Sequence, residues 1–229
     1  MALYAIGDLH LCLGAEKPMD VFGGAWVGYM DKLKEGLSVI GPEDTTVLLG
    51  DLSWALGLTE AKPDFAWIND IPGRKIILKG NHDYWWSTAS KFYQFCAENG
   101  FSDQWILHNN HYDYGDYAIC GTRGWFFEEE RSGEQDEKVF RRELMRLEAS
   151  LQSAGDKEKL VFLHYPPRYK GYTCDEILQI LARYGVRRCF YGHLHGASHG
   201  LAMEGIWDSV EFRLVSADRL NFKPLLVLP

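Results

Sequence analysis

Short apolar runs that stop at a glycine recur along this chain, and amphipathic stretches lie between them. Leu3 to Ile6, Thr45 to Leu49 and Lys75 to Leu78 each read as a buried strand, ending at Gly7, Gly50-Asp51 and Gly80-Asn81. Residues 23–39 place Trp26, Met30, Leu33 and Leu37 at helical spacing, with Asp31, Lys32, Lys34 and Glu35 on the other side and Gly41-Pro42 as the stop. Phe65 to Ile68 predicts a short helix before Pro72-Gly73. Ser87 is the expected cap of a helix that ends near Asn99-Gly100. Strand and helix alternate to this point, which predicts parallel pairing through crossover helices.

The pattern then changes. Trp105 to His108 and Tyr117 to Cys120 flank a polar, glycine-containing connection and read as a hairpin. Residues 136–153 predict an amphipathic helix with Phe140, Leu144, Leu147 and Leu151 on one stripe, supported by the i,i+4 pairs Glu134–Lys138 and Glu137–Arg141. Leu160 to Leu163 leads to His164, Asp175 to Tyr184 is helical up to Gly185, and Cys189 to Tyr191 is a strand ending at Gly192-His193. Gly205 to Leu228 is strand-rich without a clear helix. With no repeat and no low-complexity linker, residues 1–229 are expected to form one domain.

Composition narrows the function. A hydrophobic fraction of 46% with 14% aromatic residues is ample for a substantial core. The net charge of −8 argues against a nucleic-acid or anionic-membrane partner, which calls for a basic surface. It leaves room for a small anionic substrate, because bound metals reverse the local field. The five cysteines, odd in number and without a Cys-x-x-Cys pair, read as reduced core residues. Met1 to Ile6 runs directly into the first motif without a basic leader, and no long apolar stretch follows, so a cytoplasmic protein is expected. No heptad seam is present, which leaves the oligomeric state open.

The strand exits carry the chemistry. Asp8-Leu9-His10, Gly50-Asp51, Gly80-Asn81-His82-Asp83, His164 and Gly192-His193-Leu194-His195 each follow an apolar run. Asp8, His10, Asp51, Asn81, His164, His193 and His195 together offer two carboxylates, one carboxamide and four imidazoles. Such a set suits two borderline divalent ions (manganese, iron, zinc or cobalt) better than calcium or magnesium, which prefer oxygen-rich sites. Asp51 is the natural bridge, since a carboxylate can serve two cations. Two ions roughly 3.5–4 Å apart can generate a hydroxide and steady both oxygens of an in-line phosphoryl displacement.

In this order, Asp-x-His, Gly-Asp, Gly-Asn-His-Asp, His and Gly-His-x-His resemble the calcineurin-like metallophosphoesterases, from Asp8 to His195. The resemblance implies a four-layer α/β/β/α sandwich with two mixed sheets. It also implies a dinuclear phosphohydrolase that attacks small phosphate monoesters or diesters with a metal-bridging hydroxide. On it, Asp8, His10 and His195 would bind one metal, Asn81, His164 and His193 the other, and Asp51 both. His82 would stand near the leaving group as a proton donor or charge stabiliser. Protein Ser/Thr phosphatases carry a further Asp-Arg shortly after the second motif; here that segment is Gly50-Asp51-Leu52-Ser53-Trp54-Ala55, so the expected partner of His82 is missing and that branch is disfavoured.

Around this set, Trp54, Tyr84, Trp85 and Trp86 are candidates to wall a substrate pocket, with core filling the commoner role for such residues. Arg123 and Arg168 are candidate phosphate clamps, with surface ion pairs as the competing reading. Two other functions compete: a non-catalytic scaffold of the same fold that binds a protein, and a nuclease of the same superfamily, which the acidic balance disfavours.

Overall fold

The run Leu3–Ile6 forms β1, and Thr45–Leu48 and Arg74–Ile77 form β2 and β3, each parallel to the strand before it. β2 is buried along its whole length, which is why its sequence is a continuous run and does not alternate. The computed structural model describes residues 1–125 and 134–229. It forms two compact units, Met1–Ile106 with Val215–Pro229, and Leu107–Leu214.

In the first unit Gln104–Ile106 (β4) adds parallel to β3, and the C-terminal strand Leu225–Leu228 adds antiparallel to β1. Strands β1 to β3 and the neighbouring Ile106 bury Ile6, Leu48, Ile77 and Ile106 with three helices: α1 (Tyr29–Leu37), α2 (Lys62–Asn69) and α3 (Ala89–Asn99). Leu33, Phe65, Ile68, Phe92 and Phe95 fill that layer, the phenylalanines packing edge to face.

α1 is shorter than its apolar spacing predicts. Gly23, Gly24 and Gly28 all take positive φ, and left-handed Gly28 stands at the N-cap, so the helix begins only at Tyr29. Trp26 still reaches the core from a 3-10 turn. α3 is capped by Thr88, whose hydroxyl accepts from the Lys91 N–H at 3.2 Å, and not by Ser87. Left-handed Gly100 ends it as expected.

The second unit holds a six-stranded mixed sheet. Its strands are Tyr112–Tyr114 (β5), Tyr117–Thr122 (β6), Glu158–Leu163 (β7), Arg188–Tyr191 (β10), Gly205–Trp207 (β11) and Val210–Leu214 (β12). They lie in the order β11-β12-β10-β7-β6-β5, with antiparallel strands at both edges. Arg168–Tyr169 (β8) and Tyr172–Thr173 (β9) form a separate two-stranded ribbon.

The hairpin is corrected here: β6 turns back on β5, whereas the run near residue 105 joins the first unit as β4. Two similar apolar runs carry no signal of which partner each selects. Glu134–Ser153 (α4) and Asp175–Arg183 (α5) cover one face, burying Phe140, Leu147, Leu151, Ile177 and Leu181 over Cys120, Val161 and Cys189. Arg141 Nε meets Glu137 at 2.7 Å as read from spacing, while the expected Glu134–Lys138 pair rests on the Glu134 side chain, which lies outside what is described. The architecture is α/β with two large mixed sheets. Among the described residues no helix is long and apolar enough to cross a membrane.

Candidate metal centre

The donors divide between the two units. In the first, the loops leaving β1 and β2 run side by side: Asp8 N–H donates to Gly50 O, His10 N–H to Asp51 O and Leu11 N–H to Leu52 O, each at 2.9 Å. Asp8, His10 and Asp51 all take left-handed backbone, with φ of 60°, 47° and 49°. That conformation is costly for a side-chain-bearing residue and persists where surrounding bonds enforce it. Leu9, between Asp8 and His10, is fully buried in the core and anchors the turn. Asp8 and Asp51 are themselves almost wholly buried, at 0% and 1% exposure.

The loop after β3 closes on the same place. His82 N–H donates to Asp51 Oδ1 at 2.8 Å. A Cβ on Gly80 would strike the Asp51 carboxylate and main chain, so only glycine lets the two loops approach. Asn81 sits beside it, half-buried.

Asp83 holds this arrangement from below. Its Oδ2 accepts from the N–H groups of Asp51 (2.8 Å) and Gly80 (2.7 Å), and its Oδ1 from Leu52 (2.8 Å), Ser53 (3.4 Å) and the Trp85 indole (2.9 Å). Burial and the neighbouring Asp51 charge push its carboxyl up to about 6, against the N–H groups of Gly80, Leu52 and Trp85, which pull it down. Trp85 is therefore a core residue rather than a pocket wall.

An aromatic layer covers the histidines. Trp54 stacks on His10 (ring centroids 4.8 Å apart, 19° between planes) and lies 4.6 Å from His82. Tyr84, exposed, places its hydroxyl 3.3 Å from His82 Nδ1.

In the second unit, His164 follows β7 and is fully buried; its N–H bonds Arg123 O at 3.1 Å, and its own carbonyl accepts from Gly192 N–H at 3.1 Å. The latter bond ties the β7 exit to the β10 exit and leaves the His164 and His193 rings 5.2 Å apart. His193 has left-handed backbone, φ 74°. Leu194 is drawn into the core between half-buried His193 and His195, repeating the device of Leu9.

Of the candidate clamps, Arg123 lies over the Trp125 and Tyr165 rings and 3.6 Å from Glu143, a buried carboxylate that also receives Thr122 and Arg146. Arg168 is exposed on β8, over Trp207. Among the described residues, those that could hold a metal ion are Asp8, His10 and Asp51 in the first unit and His164, His193 and His195 in the second.

Residues 1–197 match the calcineurin-like phosphoesterase family. The chain belongs to that family. Its members are usually metal-dependent hydrolases, and these residues accord with a metal-binding member. The chain is 47% identical over 47 residues to the gene 66 protein of Mycobacterium phage L5, a match that spans 20% of this chain and 22% of that protein. Among solved structures it is similar to AQ665 of Aquifex aeolicus, a protein of unknown function (TM-score 0.52, 16% identity, 98% of this chain and 94% of that one). It is also similar to TT1561 of Thermus thermophilus (TM-score 0.53, 15% identity, 84% and 81%). Identities this low speak for the fold alone.

The donor set fits divalent ions. Burying carboxylates such as Asp8 and Asp51 is costly unless positive charge is brought to them, and mixed oxygen–imidazole donors suit borderline metals.

Proposed function

We propose that the protein is a cytoplasmic hydrolase of small phosphate monoesters or diesters, that both units together make one catalytic domain, and that manganese, iron, zinc or cobalt serves it as a pair. Asp8, His10 and His195 would hold one ion, Asn81, His164 and His193 the other, and Asp51 both. Such a pair supplies Lewis acidity and activates water at neutral pH. The residues do the rest. The Asp51 carboxylate, fixed by His82 N–H at one oxygen, sets the spacing of the site. His82 stands beside it, its ring oriented by Trp54 and the Tyr84 hydroxyl, to give a proton to the departing oxygen. Arg123 and Arg168 are the guanidinium groups assigned to substrate phosphate oxygens.

The observation that carries this reading is the enforced left-handed backbone at Asp8, His10 and Asp51, which points buried ligand-type side chains out of adjacent strand exits. A core has no need of it. The five free thiols agree with a reducing compartment, and burial pushes Cys96 and Cys174 up to about 11, too high to serve as nucleophiles.

The test is hydrolysis of p-nitrophenyl phosphate and bis(p-nitrophenyl) phosphate with added manganese. Asp51→Ala should abolish turnover in a folded protein. His82→Ala should keep its metal content and lose about 10²–10⁴-fold in kcat. Full activity in Asp51→Ala would refute the assignment.

A further inference from the structure

At the β11 edge of the six-stranded sheet, α5 and the β11–β12 hairpin leave a cavity of about 310 Å³ between them, within the second unit. Leu178 on α5 and Val210 and Phe212 on β12 give it an apolar floor, and Trp207 forms a wall. Trp207 is held in place. Its Nε1 donates to Glu204 O at 3.3 Å, and the Arg168 guanidinium lies over its ring, 5.0 Å from the centroid. The volume is at the low end of the roughly 300–1,000 Å³ usual for ligand sites, so it suits one or two side chains better than a cofactor.

The rim of this cavity is acidic. Asp175 and Asp208 line it, and among the described residues it has no lysine, arginine or histidine lining. Neither carboxylate forms an ion pair among those residues, whereas Arg183, also on α5, is taken up by Glu148 at 2.5 Å. Asp175 stands in the first turn of α5 and Asp208 turns the hairpin with φ 48°, and both remain exposed beside the cavity. The neighbouring strand is an open edge. Gly205-Ile206-Trp207 carries neither charge nor proline, the usual guards of an edge strand, and Ile206 is 78% exposed. Glu204 and Asp208 flank it, so the edge runs acidic, apolar, acidic.

We propose that this groove docks an extended segment of a partner protein in which apolar residues alternate with lysine or arginine. The segment adds as a strand to β11, seats an apolar side chain in the cavity against Trp207, and brings its cations to Asp175 and Asp208. Strand addition needs both features found here: an open edge for main-chain pairing and a pocket for a side chain. A small amine has no use for the edge. A second copy of this chain fits worse, because two β11 edges paired antiparallel about Ile206 set Glu204 of each opposite Asp208 of the other. The proposal stands apart from ester hydrolysis, since none of these residues is among the metal donors.

The experiment is fluorescence anisotropy of the full chain, at physiological salt, with labelled octapeptides in which leucine alternates with lysine or with glutamate. The leucine–lysine peptide should bind and the leucine–glutamate peptide should not. Asp175→Asn combined with Asp208→Asn should weaken binding about tenfold, the loss of two exposed ion pairs. Ala182→Trp, which fills the cavity from an exposed position on α5, should abolish binding while the melting midpoint stays at the wild-type value. If that variant does not fold, the double asparagine variant decides alone. No binding of the leucine–lysine peptide, or binding unchanged in the folded variants, would overturn the proposal, the latter because net charge alone would then explain it. Phenethylamine binding as tightly as the peptide would overturn it in favour of a small amine. A dimer that Ala182→Trp splits, seen by sedimentation equilibrium, would overturn it in favour of a second copy.

Discussion

Five N–H groups converge on the two oxygens of Asp83, and three of them belong to Asp51, Leu52 and Ser53, at least thirty positions earlier in the chain. The ligand-type residues themselves were legible in the sequence because their chemistry is local: Asp8, Asp51 and the paired histidines announce themselves by type and by the strand ends they follow. Asp83 was visible only as the last letter of a motif, since convergence of distant main-chain groups leaves no local pattern. The same holds for Lys17 over Trp54, two residues joined by the fold alone. Asp83→Asn would turn an amide N–H toward those donors in a fully buried place. Its expected effect is destabilisation on the order of 3 kcal/mol, with weaker manganese binding, because Asp51 loses its main-chain anchor. Urea unfolding and metal titration of the variant check this; wild-type values in both would show that the hub does not position Asp51.

The elements were legible wherever an apolar run ended at a turn residue with one meaning. β1, β2, β3, β7 and β10 lie where the runs place them, and Gly100 and Gly185 stop their helices in left-handed backbone. Errors fell where the deciding interaction was tertiary. α1 lost its first six expected residues to Gly23, Gly24 and Gly28, and the partner of β6 was β5 because strand pairing depends on partners that periodicity cannot rank. Glycines at the strand exits carry a second meaning, close approach. A methyl on Gly80 has no room beside Asp51, so Gly80→Ala should push the β3 exit away from the β2 exit. We expect a loss of about 1–3 kcal/mol in stability, with reduced turnover. A variant with the wild-type melting midpoint and kcat would show that the loops have slack there.

At the scale of the whole molecule, an acidic chain with a net charge of −8 is proposed to act on anions, which calls for concentrated positive charge at one place. Each unit brings buried or half-buried donors to the ends of its own strands, and that much could be read from the order of motifs. The course of the segment 12–28 and of the β8–β9 ribbon could not, because loops are set by contacts rather than by period. The central claim is a pair of ions bridged by Asp51. It is tested most directly by an anomalous difference map from crystals grown with manganese. Two peaks roughly 3.5–4 Å apart, with the Asp51 carboxylate between them, are predicted. A single peak, or two peaks without Asp51 between them, would contradict the account.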